Sequence, residues 1–312
     1  MKIIVAICTA NREAYLAQLL ERLKGIDLQG LEGDQVEILI VDNRPSDLVR
    51  EQCARAELPV PLRYVEEPVP GISEARNRAV ATSLTERADM LAFLDDDNIP
   101  HLDWLAQLVA RQRATGAWVV IGNRRKLSLS ANGAAMEDRG TMMDGMEELW
   151  KDSGLPELMS TSNVLIAAQL LRRMSASGAV FDPLFSPMGG EDADFFMRAK
   201  KGGASFAAAP ASLIEFRTEG ARGTLIGRMA RKFKSGCAQA HLARRHLARS
   251  RLLIWIASLC WRTLRDLVLL IPGLIRHGSN SETPAKLSGS VGFWFGLLGG
   301  RYRYYSGKGV SE

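Results

Sequence analysis

Met90-Leu91-Ala92-Phe93-Leu94-Asp95-Asp96-Asp97 is five apolar residues followed by three carboxylates. An apolar run of this length, bounded by polar residues, reads as a buried strand. Carboxylates stacked at a strand end repel one another unless a cation neutralises them. A hard divalent ion does this, because Mg²⁺ and similar ions take oxygen ligands and bridge to phosphate. The competing reading is helix capping. Asn98-Ile99-Pro100 predicts a helix opening at about His101, and an aspartate at a helix N-terminus contributes roughly 0.5–2 kcal/mol. Capping needs one carboxylate, not three, but both readings stand on this stretch alone.

The segments around it alternate in character. Ile3–Cys8, Val36–Val41, Leu62–Val65, Leu91–Leu94 and Trp118–Gly122 read as strands, and Thr161–Ala167 as extended. Arg12–Lys24, Pro45–Arg55, Ser73–Thr85 (with Ser73 as N-cap), His101–Thr115 and Glu191–Lys201 read as helices. Strands alternating with helices predict an α/β fold, with a mostly parallel central sheet covered by helices on both faces. Ligands of such sheets bind beyond the carboxyl ends of the strands. Thr9-Ala10-Asn11, Asp42-Asn43 and Asp95-Asp96-Asp97 all fall at such ends, so they are expected to converge. Residues 124–158 have weak periodicity and read as a long loop with a short helix near Met142–Lys151, the kind of segment that often shapes a binding site.

A chain of 312 residues is long enough for one large domain or two smaller ones, with a sizeable core. Cys8, Cys53, Cys237 and Cys260 are scattered without a CxxC pair, which points away from zinc and from a disulfide framework and fits a reducing compartment. The first residues enter a strand directly, without the pattern of a signal peptide.

The net charge of +5 hides an asymmetry. Residues 221–312 carry 16 Lys and Arg against 3 Asp and Glu, while residues 1–220 carry 24 against 32. No acidic residue lies between Glu219 and Asp266. Such a tail seeks an anionic partner. Within it, Leu252–Cys260 and Leu264–Ile275 are apolar but interrupted by charge, and Pro272-Gly273 is expected to break the second run. Neither reaches the roughly 20 apolar residues of a membrane-crossing helix. Helices lying on or dipping into one leaflet fit better, with core helices as the alternative. Gly292-Phe293-Trp294-Phe295 and Arg301-Tyr302-Arg303-Tyr304-Tyr305 carry residues that suit a headgroup interface.

Two further motifs bear on chemistry. Gly189-Gly190-Glu191-Asp192-Ala193-Asp194 sets carboxylates at a helix start. They serve either the helix dipole or general-base catalysis from a rigid terminus. Pro70-Gly71-Ile72-Ser73-Glu74-Ala75-Arg76-Asn77 puts Arg76 in a first helical turn. There it forks onto phosphate or carboxylate oxygens or stacks on a base, or forms a surface pair with Glu74 or a neighbouring carboxylate.

Thr9-Ala10-Asn11-Arg12, Val41-Asp42-Asn43-Arg44-Pro45-Ser46-Asp47, Gly71…Ala75-Arg76-Asn77, Leu94-Asp95-Asp96-Asp97-Asn98 and Gly190-Glu191-Asp192 occur in the order and spacing of family 2 glycosyltransferases. Across roughly residues 1–235 the chain resembles that family. The basic segment Arg222-Gly223-Thr224-Leu225…Arg228…Arg231-Lys232-Phe233-Lys234 is similar to that of bacterial exopolysaccharide enzymes of succinoglycan type. The resemblance implies a GT-A nucleotide-sugar-binding domain over residues 1–220, followed by a basic and apolar helical region over 221–312.

It also implies roles. Thr9, Asn11, Arg12, Asp42, Arg76, Asp95 and Asp96 would form the nucleotide-sugar pocket, with Asp42 accepting a hydrogen bond from the base, usually uracil. Asp95 and Asp97 would be the DxD pair, with Asp97 binding Mg²⁺ or Mn²⁺ and Asp95 facing ribose or metal. Asp192 would be the catalytic base with Glu191 beside it. Ser162, Asn163, Arg222, Arg231 and Lys232 would meet the acceptor. The implied reaction moves a sugar, with inversion, from a UDP-sugar or related donor to a hydroxyl of a polyprenyl-diphosphate-linked or other glycan acceptor. The enzyme would work at the cytoplasmic face of the bacterial inner membrane, peripheral or monotopic on an anionic surface, and nucleic acid is not an expected partner. Asn43 and Arg44-Pro45 depart from the family pattern, and no downstream histidine matches the metal ligand of some relatives. His241 and His246 are expected to face solvent or membrane.

Three other classes bear comparison. A sugar nucleotidyltransferase would share the crevice and the carboxylates, but no Gly-rich basic loop follows strand one. A non-catalytic basic lipid- or nucleic-acid-binding protein would explain the tail but not the paired acidic motifs. A Rossmann dehydrogenase would need a GxGxxG that is not there.

Overall fold

The computed structural model describes residues 1–129, 135–137, 160–217, 224–277 and 281–302. They fall into two compact units. The first comprises residues 1–183 and 195–217, and the second residues 184–194 and 218–312. The expected division at residue 220 differs from this one mainly in the segment Leu184–Asp194, which groups with the helical tail.

Among the described residues, the first unit holds nine strands: β1 (Lys2–Thr9), β2 (Gln35–Asp42), β3 (Leu62–Glu66), β4 (Met90–Asp95), β5 (Asn98–Pro100), β6 (Val119–Leu129), β7 (Ala135–Glu137), β8 (Asn163–Ala167) and β9 (Phe206–Arg217). Their order is β3-β2-β1-β4-β8-β6-β9-β5, with β7 paired to β6. The strands β3, β2, β1 and β4 are parallel, as expected. Beyond β4 the sheet is mixed: β8 runs antiparallel to β4 and β6, while β6 and β9 are parallel to one another. The central sheet is thus parallel through its first half, as expected, and mixed beyond it.

Period-two alternation builds the layers. Ile3, Val5 and Ile7 of β1, with Met90, Ala92 and Leu94 of β4, pack against α1 (Glu13–Leu23), α2 (Asp47–Arg55) and α4 (Trp104–Thr115). Ile4 and Ala6, with Leu91 and Phe93, pack on the other face against α3 (Ile72–Thr85), α5 (Ala168–Ser175) and the part of α6 (Glu191–Lys201) that belongs to this unit. Phe93 meets Phe181 edge-on, and Phe181 stacks on Phe195 of α6 at 5.0 Å.

Several local expectations shift. Asn98–Pro100 is not a helix entry. It pairs with β9, and α4 opens at Trp104. Gly71 at φ 152°, not Ser73, caps α3, and the Ser73 hydroxyl instead donates to the Asp182 carbonyl. Residues 124–129, expected in a loop, extend β6. The short helix expected near Met142–Lys151 lies outside the described residues.

The second unit is helical: α7 (Leu225–His246), α8 (Arg249–Val268), α9 (Leu270–His277) and α10 (Thr283–Leu297). The helix breaks at Leu269, inside the second apolar run and ahead of the expected Pro272-Gly273, and Pro272 sits in the first turn of α9, where a proline removes no helical hydrogen bond. α7 and α10 meet through glycines. A Cβ on Gly292 would lie 2.1 Å from the Phe233 carbonyl oxygen, and one on Gly236 would lie 2.0 Å from that of Gly289. Phe293 is buried against Trp255 of α8 and is not a headgroup anchor. The other side of α8 and α9 is apolar and open, with Leu253, Ile254, Trp261, Val268, Ile271 and Ile275 all exposed. Among the described residues, no helix is long and apolar enough to cross a membrane.

Candidate active site

The parallel strands place their last residues in one row. Thr9 of β1 is the register partner of Asp42 on β2, Asp42 that of Glu66 on β3, and Cys8 that of Asp95 on β4. Just past this row, Asp96 and Asp97 form the turn between β4 and β5. The capping reading fails, because none of the three carboxylates is at the start of α4.

The turn is held by the loop after β1. The Thr9 hydroxyl donates to Asp96 Oδ2 at 2.8 Å, and Arg12 Nη1 donates to Asp96 Oδ1 at 2.8 Å and to Asp97 Oδ2 at 3.0 Å. Asn11 reaches this geometry with φ 53°, a left-handed conformation that asparagine tolerates better than most residues. A cation therefore does sit among the carboxylates, and it is a guanidinium. Asp96 is buried, and burial pushes its carboxyl above the ordinary range despite Arg12 and Thr9. Burial would lower the pKa of Arg12, but Asp96 and then Asp97 outweigh it and hold the guanidinium firmly protonated. Asp95 and Asp97 keep more solvent access, at 39% and 27% of the side chain.

Arg76 is buried in α3, its guanidinium 3.8 Å from Asp95 and over the Phe181 ring at 5.8 Å. It pairs with Asp95, at the start of the carboxylate turn. Asn77 beside it both donates to the Phe181 carbonyl and accepts from the Phe181 N–H. Burial pushes the Cys8 thiol, at the end of β1, up to about 12, against the pull of Arg76. It is a neutral wall of the site.

Asp42 is fully buried. Its carboxylate accepts from the Arg44 and Ser46 N–H groups and from the Tyr64 hydroxyl. Much of its capacity goes into shaping the β2–α2 loop. Asn43 explains the departure from a second aspartate. Its amide donates to the Glu67 and Val69 carbonyls, and its oxygen accepts from the Gly71 N–H at 2.7 Å. A carboxylate could not make the first two bonds. Sequence reasoning missed this clamp, whose signal is the asparagine itself where a carboxylate is common.

The acceptor candidates separate. Ser162 is buried and receives a hydrogen bond from Arg124 at 3.1 Å. Asn163 is fully buried, and its amide donates to the Asn123 and Ser212 carbonyls across the β6 bulge after Gly122. Both of its donors are used internally. Arg231 and Lys232 are exposed on α7, and Arg222 lies outside the described residues.

The remaining candidates belong to the second unit. Gly189 and Gly190, at φ 77° and 99°, lead into α6 in a conformation that favours glycine. A Cβ on Gly190 would meet Ala238 at 3.3 Å. Glu191 is buried, Asp192 half-buried and Asp194 fully buried in the first turn. The histidines of α7 do not face outward as expected. His241 Nε2 is 2.9 Å from the Gly300 carbonyl, and His246 Nε2 is 2.8 Å from Asp194 Oδ1.

Among the described residues, no three His, Cys, Asp or Glu side chains converge as an ion-holding cluster. Divalent ions at diphosphates commonly use only one or two carboxylates, with phosphate and water completing the shell. Asp95 and Asp97, hard oxygen donors with partial solvent access, fit that pattern.

Residues 4–177 match the family model "Glycosyl transferase family 2". The chain is 30% identical over 251 residues to the succinoglycan biosynthesis protein ExoM of Rhizobium meliloti (strain 1021), covering 76% of this chain and 74% of the relative. The mannosyltransferase PcManGT from Pyrobaculum calidifontis, solved with GDP-Man and Mn²⁺, superposes with a TM-score of 0.61 at 16% identity, covering 94% of this chain and 87% of that one. S. aureus TarS 1–349 with UDP-GlcNAc gives 0.52 at 14% identity, covering 97% and 93%. Against a longer TarS structure the chain spans 44% of that protein's length. The fold is of the GT-A type seen in these structures, and with a family match over more than half its length the chain belongs to glycosyl transferase family 2.

Proposed function

We propose that this protein is an inverting, metal-assisted hexosyltransferase. It takes a sugar from a nucleoside-diphosphate sugar, UDP-linked in the simplest reading, and adds it to a hydroxyl of a lipid-linked glycan during cell-surface polysaccharide assembly. The observation that carries the reading is the carboxylate turn Asp95–Asp97, tied to Thr9 and Arg12 at the ends of the parallel strands. The succinoglycan relative supports the polysaccharide context, and the nucleotide-sugar ligands of PcManGT and TarS support the donor class.

The residues divide the chemistry. Thr9, Asn11 and Arg12 shape the donor pocket with Asp96 as their buried anchor, and Arg76 keeps Asp95 in place. Asp42 builds the wall of the base pocket. Asp97 and Asp95 would hold Mg²⁺ or Mn²⁺, which when bound offsets the charge that develops on the leaving diphosphate. Asp192 accepts the proton of the acceptor hydroxyl as its oxygen attacks the anomeric carbon. The bond from that carbon to the diphosphate oxygen breaks, the electron pair leaves with the nucleoside diphosphate, and the configuration inverts. Arg231 and Lys232 on α7 offer charge to an acceptor diphosphate.

The exposed apolar side of α8 and α9, in helices that also carry the exposed Arg249, Arg251, Arg262 and Arg276, supports a peripheral position on an anionic membrane. Arginine and tryptophan suit the headgroup layer, while Ile and Leu enter below it.

Thermal unfolding against UDP, GDP, TDP, CDP and ADP, each with and without Mn²⁺, tests the proposal. A nucleotide at about 100 times its dissociation constant stabilises by roughly 2.7 kcal/mol. One nucleotide shifting the transition only with Mn²⁺ is the expected result. No shift with any of the five would remove the donor reading.

A further inference from the structure

The first turn of α6 carries Asp192 in the second unit, and within that unit the end of α7 is fastened to it. Asp194 Oδ1 lies 2.8 Å from His246 Nε2 and 3.4 Å from the Arg245 guanidinium. Both ends of the histidine–aspartate contact are closed to solvent, with side-chain exposures of 3% and 0%. An ionised carboxylate only accepts, so Nε2 carries the hydrogen. Uncompensated, a carboxylate buried this deeply would be strongly unfavourable. Asp192 and Asp194 are two residues apart, roughly 200° around a helix of 3.6 residues per turn. The fastening therefore grips the side of the turn away from Asp192. Gly190, packed against Ala238 and Leu242 of the same α7, holds the approach to the turn.

We infer that His246 is a positioning residue for Asp192, acting through Asp194. The inference rests on Asp192 being the base. Neither residue of the pair touches the reacting atoms in this account. Their role is to fix the first turn of α6 so that the Asp192 carboxylate holds one orientation.

The test is release of nucleoside diphosphate from a mixture of UDP-glucose, UDP-N-acetylglucosamine and GDP-mannose, with water as the stand-in acceptor. Asp192→Asn is run first. His246→Ala is expected to lower kcat about 10-fold to 100-fold, a span of the size general-base catalysis allows, with KM for the donor changed less than about 2-fold. His246→Gln, whose side-chain amide can place an N–H near the imidazole Nε2 position, restores most of the rate. Asp194→Asn reproduces the loss, and in the double variant the two losses do not add, as expected of residues acting in one contact. Should His246→Ala not fold, His246→Gln and Asp194→Asn carry the test.

Full kcat in His246→Ala or in Asp194→Asn, or additive losses in the double variant, would overturn the inference while leaving Asp192 as the base. No gain of His246→Gln over His246→Ala would also overturn it. Retained turnover in Asp192→Asn would remove the base assignment and this inference together.

Discussion

The two units solve opposite packing problems with similar amino acids. In the sheet unit the apolar side chains point inward, from Ile3 to Ile7 without a gap, and the carboxylates of the candidate site sit where the parallel strands end. In the helical unit the tightest packing comes from glycines between α7 and α10, while one side of α8 and α9 turns its bulky apolar residues out, Trp261 at 68% and Ile275 at 82% exposure. An unpartnered apolar face on this scale marks an interaction surface rather than scattered surface apolarity. The contrast teaches that apolarity names a core only when something covers it. It also divides the labour proposed for the enzyme, with the nucleotide assigned to the sheet unit and the proton, acceptor and membrane to the helical one.

The largest effect should come from separating those labours. Asp192→Asn keeps the shape of α6 but removes its base, so turnover is expected to fall by about 10²–10⁴-fold. Nucleotide affinity, measured by calorimetry, should stay within about 2-fold because its residues lie in the other unit. A matching loss of affinity would erase the division. Asp97→Ala is the mirror experiment. Nucleotide affinity in Mn²⁺ should fall by roughly 10-fold or more, toward the metal-free value, as expected when a carboxylate holding a metal–diphosphate complex is lost. If affinity and its response to Mn²⁺ are both unchanged, Asp97 is not the metal-holding carboxylate.

Next in size is Gly292→Ala. Its new methyl would meet the backbone oxygen of Phe233, which has no rotamer with which to move aside. Parting α7 from α10 should cost about 1–3 kcal/mol, the usual range for overpacking. The loss is expected in unfolding of the helical unit, followed by far-ultraviolet circular dichroism with and without nucleotide. An unchanged transition would mean that the two helices do not pack as closely as the glycines indicate.

The sheet unit was largely legible because its signals are local. Apolar runs at Ile3–Cys8, Val36–Val41 and Leu91–Leu94 announce their strands, and the carboxylate turn announces the site. What stayed hidden depends on partners distant in sequence. β9 begins Phe206-Ala207-Ala208-Ala209-Pro210, which has no alternation, and its register skips at the proline and the two residues after it. Asn43 looked like a departure from a family pattern until the carbonyls of Glu67 and Val69 were seen opposite it. His246 looked exposed in a basic helix because the aspartate it meets lies 52 residues away. Gly292 of α10 looked like part of an aromatic anchor because close helix packing involves a second helix, α7, whose small residues carry no periodic hydrophobic mark.

The smallest effect in solution is also the sharpest probe of the contrast. Trp261→Ala and Ile275→Ala remove side chains that are mostly in water, so each should change unfolding stability by no more than about 0.5 kcal/mol. An equivalent truncation of a buried aromatic such as Phe181 would be expected to cost about 3–5 kcal/mol. On vesicles containing anionic lipid the order should reverse. If the face of α8 and α9 enters the headgroup boundary, burying one such side chain is worth about 1.5–3 kcal/mol, so either truncation should weaken partitioning roughly 10-fold or more. Phe181→Ala, if it stays folded at the assay temperature, should not weaken it. Neutral vesicles should bind less well than anionic ones and should lose the dependence on salt, because the arginines flanking the face act through a screened field. Equal partitioning of Trp261→Ala, Ile275→Ala and the unaltered chain would show that the open face of the helical unit meets something other than lipid.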